Sequence, residues 1–179
     1  MGLLAAIMLA VYLANPFGTA SLDPRARLLG VALYKIPSRS MEPTLQQGDF
    51  ILANAARSAF ADPQVGDLVV FRFPPQRSIA YVKRIAGIPG DRVRIDGGRL
   101  YVNERPVTEP YLAQQALRQP DSLRMAERTV PAGQYFMLGD NRDNSNDSRY
   151  WGYVPRADLV GRVFAVWYAE DTRRIGSVR

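Results

Sequence analysis

Polar and apolar residues follow two rhythms in this 179-residue chain. The opening stretch, residues 2–22, is apolar and carries no charged side chain. Beyond it the apolar runs are short and are closed again and again by Gly, Pro, Asn or Asp, a pattern of strands and turns. Residues 28–34 (LLGVALY), 50–54 (FILAN) and 68–73 (LVVFRF) read as strands. Residues 79–86 (IAYVKRIA) alternate: Ile79, Tyr81, Lys83 and Ile85 share one face, and Ala80, Val82, Arg84 and Ala86 the other. Residues 92–95 and 99–102 flank Asp96-Gly97-Gly98 as a hairpin, with a second turn at Asn103-Glu104. Further strands are expected at 134–138 and 160–168. Residues 55–64 read as a loop with a turn at Asp62-Pro63. Residues 108–130 read as a polar, irregular insertion with a short helix near 111–118, and the tail from Glu170 is polar.

The opening stretch has three readings. As a helix, residues 2–22 would extend roughly 30 Å, about the thickness of the hydrocarbon layer of a bilayer. A signal peptide and a buried amphipathic helix are the alternatives. No basic segment precedes the run, which argues against a signal peptide; Asn15-Pro16 interrupts it, and Arg25 and Arg27 follow it. A membrane anchor is the expectation, with residues 1–27 as anchor and linker. Residues 28–179 then form one mainly β domain, with a small inserted subdomain at about 96–132.

Composition narrows the chemistry. The chain has neither histidine nor cysteine, which excludes a Ser-His-Asp triad, a thiol nucleophile and zinc sites built on those ligands. The net charge of +6 is dispersed in ones and twos, so nucleic acid is not an expected partner. Only two of the 23 basic side chains are lysines, Lys35 and Lys83. An arginine cannot supply a neutral base, whereas a buried lysine can. Lys83 sits among bulky apolar neighbours on its own strand face, where burial would lower its pKa. A lysine snorkelling from an edge strand is the plainer alternative.

Two polar stretches could work with that lysine. Residues 36–50 (IPSRSMEPTLQQGDF) place Ser38 and Ser40 on a bend stiffened by Pro37 and Pro43. Such a bend suits a nucleophile, although a Ser/Pro surface loop has the same composition. Residues 139–152 (GDNRDNSNDSRYWG) are rich in oxygen ligands but lack the glycine and the closing glutamate of an EF-hand. They read either as a loop held by side-chain-to-backbone bonds or as a source of groups that orient the lysine.

SRSMEPTLQQGDF, GDLVVF, YVKRIAGIPGD and GDNRDNSNDSRYWG, taken together and in this order, resemble the four signature boxes of the type I signal peptidases across most of residues 34–168. The resemblance implies an antiparallel β fold, a partly open barrel, behind an N-terminal apolar helix. It implies Ser40 as nucleophile, Lys83 as general base, and Ser38 with Ser40 as the oxyanion hole. It implies Ser145 as the group that orients the lysine, and Asp147 with Arg149 as a supporting ion pair. The implied substrates are exported preproteins with small residues at −1 and −3, cleaved without metal or cofactor. The implied location is the bacterial cytoplasmic membrane, spanned once, with the catalytic domain outside, in contact with lipid and near the secretion translocase. Here the anchor is briefer than the family's and lacks basic flanks. A pilin-type processing peptidase shares this chemistry. A self-cleaving repressor would need a helix-turn-helix that the apolar start does not offer, and a non-catalytic relative would have no use for the paired serines and Lys83.

Overall fold

The computed structural model describes residues 2–19, 24–56, 63–112 and 117–178. Much of the expected loop at 55–64, and residues 113–116 of the short helix expected near 111–118, lie outside them. Helix α1 spans Gly2–Ala14 and α2 spans Pro24–Leu29. Thirteen residues of helix make about 20 Å, short of the length expected for residues 2–22. Among the described residues no helix is long and apolar enough to cross a membrane. The helix stops where Asn15 takes a positive φ of 47°, its side-chain oxygen accepting from Thr19 N at 3.1 Å. Arg27 returns to this end, donating to the Tyr12 carbonyl at 3.4 Å.

The expected strand at 28–34 begins later than its hydrophobicity suggested. Leu28 and Leu29 complete α2, and Gly30, at φ +69°, turns the chain into β1, Val31–Lys35. The strands that follow are β2 (Phe50–Asn54), β3 (Leu68–Arg72), β4 (Ala80–Gly87), β5 (Arg92–Asp96), β6 (Arg99–Val102) and β7 (Arg105–Pro106). After these come α3 (Pro120–Leu123), β8 (Arg124–Thr129) and β9 (Gln134–Leu138). The chain closes with α4 (Ser148–Trp151), β10 (Val154–Pro155), β11 (Leu159–Tyr168) and β12 (Gly176–Ser177). The polar insertion is thus more regular than expected, because β8 (RMAERT) pairs with β5. Only Met125 of that strand is buried, so hydrophobicity gave no sign of it.

All pairings are antiparallel and form two sheets. The larger runs β1-β2-β11-β3-β4-β9-β10, with β12 added to β11; the smaller runs β7-β6-β5-β8. Register shifts in the β11–β2, β11–β3 and β4–β9 pairs bend the larger sheet, which curls into a half-barrel. The mainly β, partly open barrel expected from the resemblance is therefore the fold observed.

The LVVFR run of β3 is continuous because the strand is buried on both faces. Leu68 and Val70 join a core with Met41, Leu45, Ile51 and Val163, while Val69 and Phe71 join another with Ile85, Tyr135 and Met137. A third core joins the sheets, packing Ala86, Phe136 and Leu138 of the larger against Val93, Ile95, Leu100 and Met125 of the smaller. Phe136 is fully buried there. Phe136→Ala should cost about 3–5 kcal/mol, read as a lower urea midpoint at unchanged m-value; a variant as stable as the parent would separate the two sheets energetically.

Candidate active site

Ser40 opens a tight turn in the connection between β1 and β2. Leu45 N donates to the Met41 carbonyl at 2.9 Å and Glu42 N to the Arg39 carbonyl at 3.1 Å. Met41 and Leu45 are fully buried, so the turn is fixed to the core by two apolar anchors while Ser38 stays exposed and Ser40 half-buried. The base of the loop is closed by Ile36 N to the Asp49 carbonyl and Gly48 N to the Ile36 carbonyl, both at 2.8 Å. On the far side Asn141 N donates to the Ser40 carbonyl, and the Asn141 side chain to the Arg39 carbonyl, each at 3.1 Å.

Lys83, from β4, meets this turn. Its Nζ lies 2.7 Å from Ser40 Oγ and donates to the Val82 carbonyl at 2.9 Å. Ser38 Oγ is 3.3 Å from Ser40 Oγ. Lys83 is 4% exposed, and this desolvation lowers the lysine pKa to about 8, against the opposing pull of Asp147 and Asp140. A large share of the amine is therefore neutral in mildly alkaline solution, within hydrogen-bond reach of a serine hydroxyl. Next to this pair lies a cavity of about 410 Å³. Ile36, Ile51, Val70, Tyr81 and Val82 line its apolar wall, and Ser38, Ser40, Lys83, Asn144 and Asn146 its polar edge.

The other residues expected at the site come from the loop after β9. Asp147 is fully buried and makes a two-pronged pair with Arg149, Nε to Oδ1 at 2.8 Å and Nη2 to Oδ2 at 2.9 Å. Arg149 also donates to the Arg142 carbonyl at 2.6 Å and to Ser122 Oγ at 3.0 Å, which ties this loop to α3. Ser145 is placed differently from the expectation. Its Oγ is buried without a hydrogen-bond partner among the described residues, and the lysine amine bonds instead to Ser40 and Val82. Ser145 packs against Gly139, where a Cβ would lie 2.1 Å from Ser145 Oγ and 2.6 Å from the Ser40 carbonyl oxygen. Only a residue without a side chain lets the two loops approach this closely.

Residues 3–168 match the family described as "Signal peptidase, peptidase S26". This chain belongs to that family. It is 42% identical over 180 residues to the signal peptidase I of Pseudomonas aeruginosa, covering 75% of this chain and 63% of the relative. It is 43% identical over 136 residues to the probable signal peptidase I-2 of a Synechocystis strain, covering 72% and 59%. The chain thus spans less than two thirds of the length of these curated relatives. A crystal structure of a signal peptidase I from Enterococcus faecalis superposes with a TM-score of 0.51 at 33% identity, covering 56% of this chain and 96% of that one.

Four further residues of this signal peptidase family chain support the site and were not singled out in the sequence. Arg84 makes a buried two-pronged pair with Asp140, at 2.9 and 2.7 Å, and Thr44 Oγ1 donates to the same carboxylate at 2.5 Å. With Asn141, this network fastens the serine turn to the loop beginning at Gly139. Strand alternation put Arg84 on the face away from Lys83, and that face turns out to be covered as well. Arg84 is 7% exposed, with its guanidinium 4.3 Å from the centre of the Tyr111 ring.

With two lysines in the chain, a lysine-labelled sample yields two side-chain Nζ signals, which Lys83→Arg assigns. The Lys83 signal should titrate at about pH 8. Because the folded pKa lies below the unfolded 10.5, the folded state loses its proton first. Stability relative to Lys83→Met should therefore rise with pH between about 8 and 10.5, and the burial penalty should be full below that window. A Lys83 signal that titrates at 10.5 would contradict this.

Proposed function

We propose that this chain is a membrane-bound serine endopeptidase that removes signal peptides from exported preproteins. The observation that carries the reading is the 2.7 Å contact between Ser40 Oγ and a buried Lys83 amine in a chain without histidine or cysteine. Neutral Lys83 takes the proton of Ser40 as the oxygen attacks the scissile carbonyl carbon. The C–N bond then breaks, the amine leaves with the proton carried by Lys83, and water releases the acyl group by the same base. The Ser40 backbone N–H and the Ser38 hydroxyl receive the oxyanion. Asp147 and Arg149 act as support: a fixed carboxylate limits how far burial depresses the lysine and so keeps the amine basic enough to accept a proton. Ser145, whose buried Oγ has no hydrogen-bond partner among the described residues, serves as the lysine-orienting hydroxyl.

An extended substrate lies along the edge between β1 and the start of β4, with its small side chains in the apolar cavity beside Ser40. Residues 1–27 serve as anchor and linker, and 28–179 as the catalytic domain with its inserted subdomain at about 96–132. The exposed apolar side chains of α1, among them Leu3, Leu4 and Leu13, support insertion into lipid. In this reading the chain sits in the bacterial cytoplasmic membrane with one pass, the catalytic domain outside and the translocase nearby.

Ser40→Ala should abolish cleavage of a preprotein, and so should Lys83→Arg, which retains the charge but has no accessible neutral form. The parent rate should rise with pH through about 8, the range in which Lys83 deprotonates. Cleavage by folded Lys83→Arg protein would refute the dyad.

Ser38→Ala should lower kcat by about 3 kcal/mol of transition-state stabilisation with little change in KM. An unchanged kcat would remove Ser38 from the oxyanion hole.

A further inference from the structure

The polar tail after β11 lies outside the span matched to the family, residues 3–168, and has no role in the chemistry above. It nevertheless returns to the nucleophile turn. Val178 N donates to the Phe164 carbonyl at 3.1 Å, and β12 pairs with β11, which holds the tail against the sheet. A 3₁₀ turn at Thr172–Arg174 then directs one side chain inward. Arg174 Nη1 donates to the Pro43 carbonyl at 3.1 Å, and Nη2 to the Thr44 carbonyl at 3.2 Å and to Asp49 Oδ2 at 2.6 Å. Its side chain is 17% exposed and that of Asp49 4%. Asp49 Oδ2 in turn accepts from Gln46 N at 2.8 Å.

The position of these bonds gives them meaning. Residues 40–44 form a turn rather than a helix, and main-chain carbonyls in such a turn need donors from elsewhere in the chain. The guanidinium takes two such carbonyls at once and anchors them to a buried carboxylate on the other limb of the loop. The Ser40 side of the turn is already fixed through Asn141. Without Arg174, the far side keeps its apolar anchors Met41 and Leu45 and the Thr44 side-chain bond to Asp140, but its Pro43 and Thr44 carbonyls lose their tie to the tail and to Asp49. Ser40 Oγ must stay both within reach of Lys83 and in line with a substrate carbonyl, and a rotation of the turn disturbs both.

We propose that Arg174 is a positioning residue, through which the C-terminal tail clamps the nucleophile turn and holds Ser40 in its attacking geometry. The kinetic part of this proposal rests on the endopeptidase reading; the clamp itself does not. The experiment compares parent, Arg174→Ala and Arg174→Lys by hydrogen exchange of the segment 36–50, and by kcat and KM on one peptide substrate. All are measured below the melting midpoint of the least stable variant. A lysine can pair with Asp49 but cannot span both carbonyls, so its effect should lie between the other two.

In Arg174→Ala, exchange in residues 41–49 should quicken by about tenfold or more while the strands of the larger sheet are unchanged. The kcat should fall by about tenfold to a hundredfold, with KM within about twofold of the parent. The alkaline rise of the rate should keep its midpoint, because the surroundings of Lys83 are intact. Unchanged exchange in 41–49 would overturn the clamp. Faster exchange with an unchanged kcat would overturn its role in positioning Ser40. Should Arg174→Ala not fold, the same two criteria apply to Arg174→Lys. A parent protein that cleaves no peptide would refute the endopeptidase reading, and the exchange data would still decide the clamp.

Discussion

The site depends on keeping one lysine amine dry. Burial of an ammonium is costly, and that cost is what brings the Lys83 pKa down to about 8. The larger sheet supplies the dry surroundings: β4 lies between β3 and β9, and its second half is buried throughout. Two carboxylates, Asp147 and Asp140, act in the opposite direction. Each is held by its own arginine, so neither is free to form a salt bridge with Lys83 and fix it in the charged state. The amine is left with neutral partners, a serine hydroxyl and a main-chain carbonyl.

Arginine and lysine have separate duties here. Arg84, Arg142 and Arg149 are all buried, each paired with a carboxylate: Arg84 with Asp140, Arg142 with Glu109, Arg149 with Asp147. Their charge is permanent, and the fork of donors lets each one join several chain segments at once. Arg149 alone binds Asp147, the Arg142 carbonyl and Ser122. A lysine in such a place would be a point charge able to lose its proton, and the loops around the serine would lose their fixed spacing. A chain that reserves titration for one buried lysine can build the rest of its polar interior from arginine.

The same division bears on the loops. The serine turn belongs to the first part of the β domain and the loop at Gly139 to its last part, and neither is held by regular pairing at the site. They meet because Gly139 has no side chain and because Asn141 and Thr44 bridge them. Such contacts between segments distant in sequence are where small changes translate into displaced catalytic atoms.

The sequence by itself determined the strand framework, the hairpin at Asp96-Gly97-Gly98, the burial of Lys83 and the family, because hydrophobic alternation, turn residues and the absence of histidine and cysteine are local or compositional facts. It could not place β8, whose stability comes from pairing with β5 rather than from its own apolar residues. It placed Arg84 on the face opposite Lys83 but did not reveal its burial, since strand alternation tells which residues share a face but not what covers that face. It extended the opening helix past Ala14, where the backbone turns at Asn15, and it gave the polar tail no task. The tertiary structure decided these points, and also left Ser145 Oγ facing Gly139 rather than bonded to the lysine. The physical reason is common to all of them: hydrogen bonds and ion pairs between distant segments depend on where the fold brings the partners, and nothing in either segment alone records the other's position.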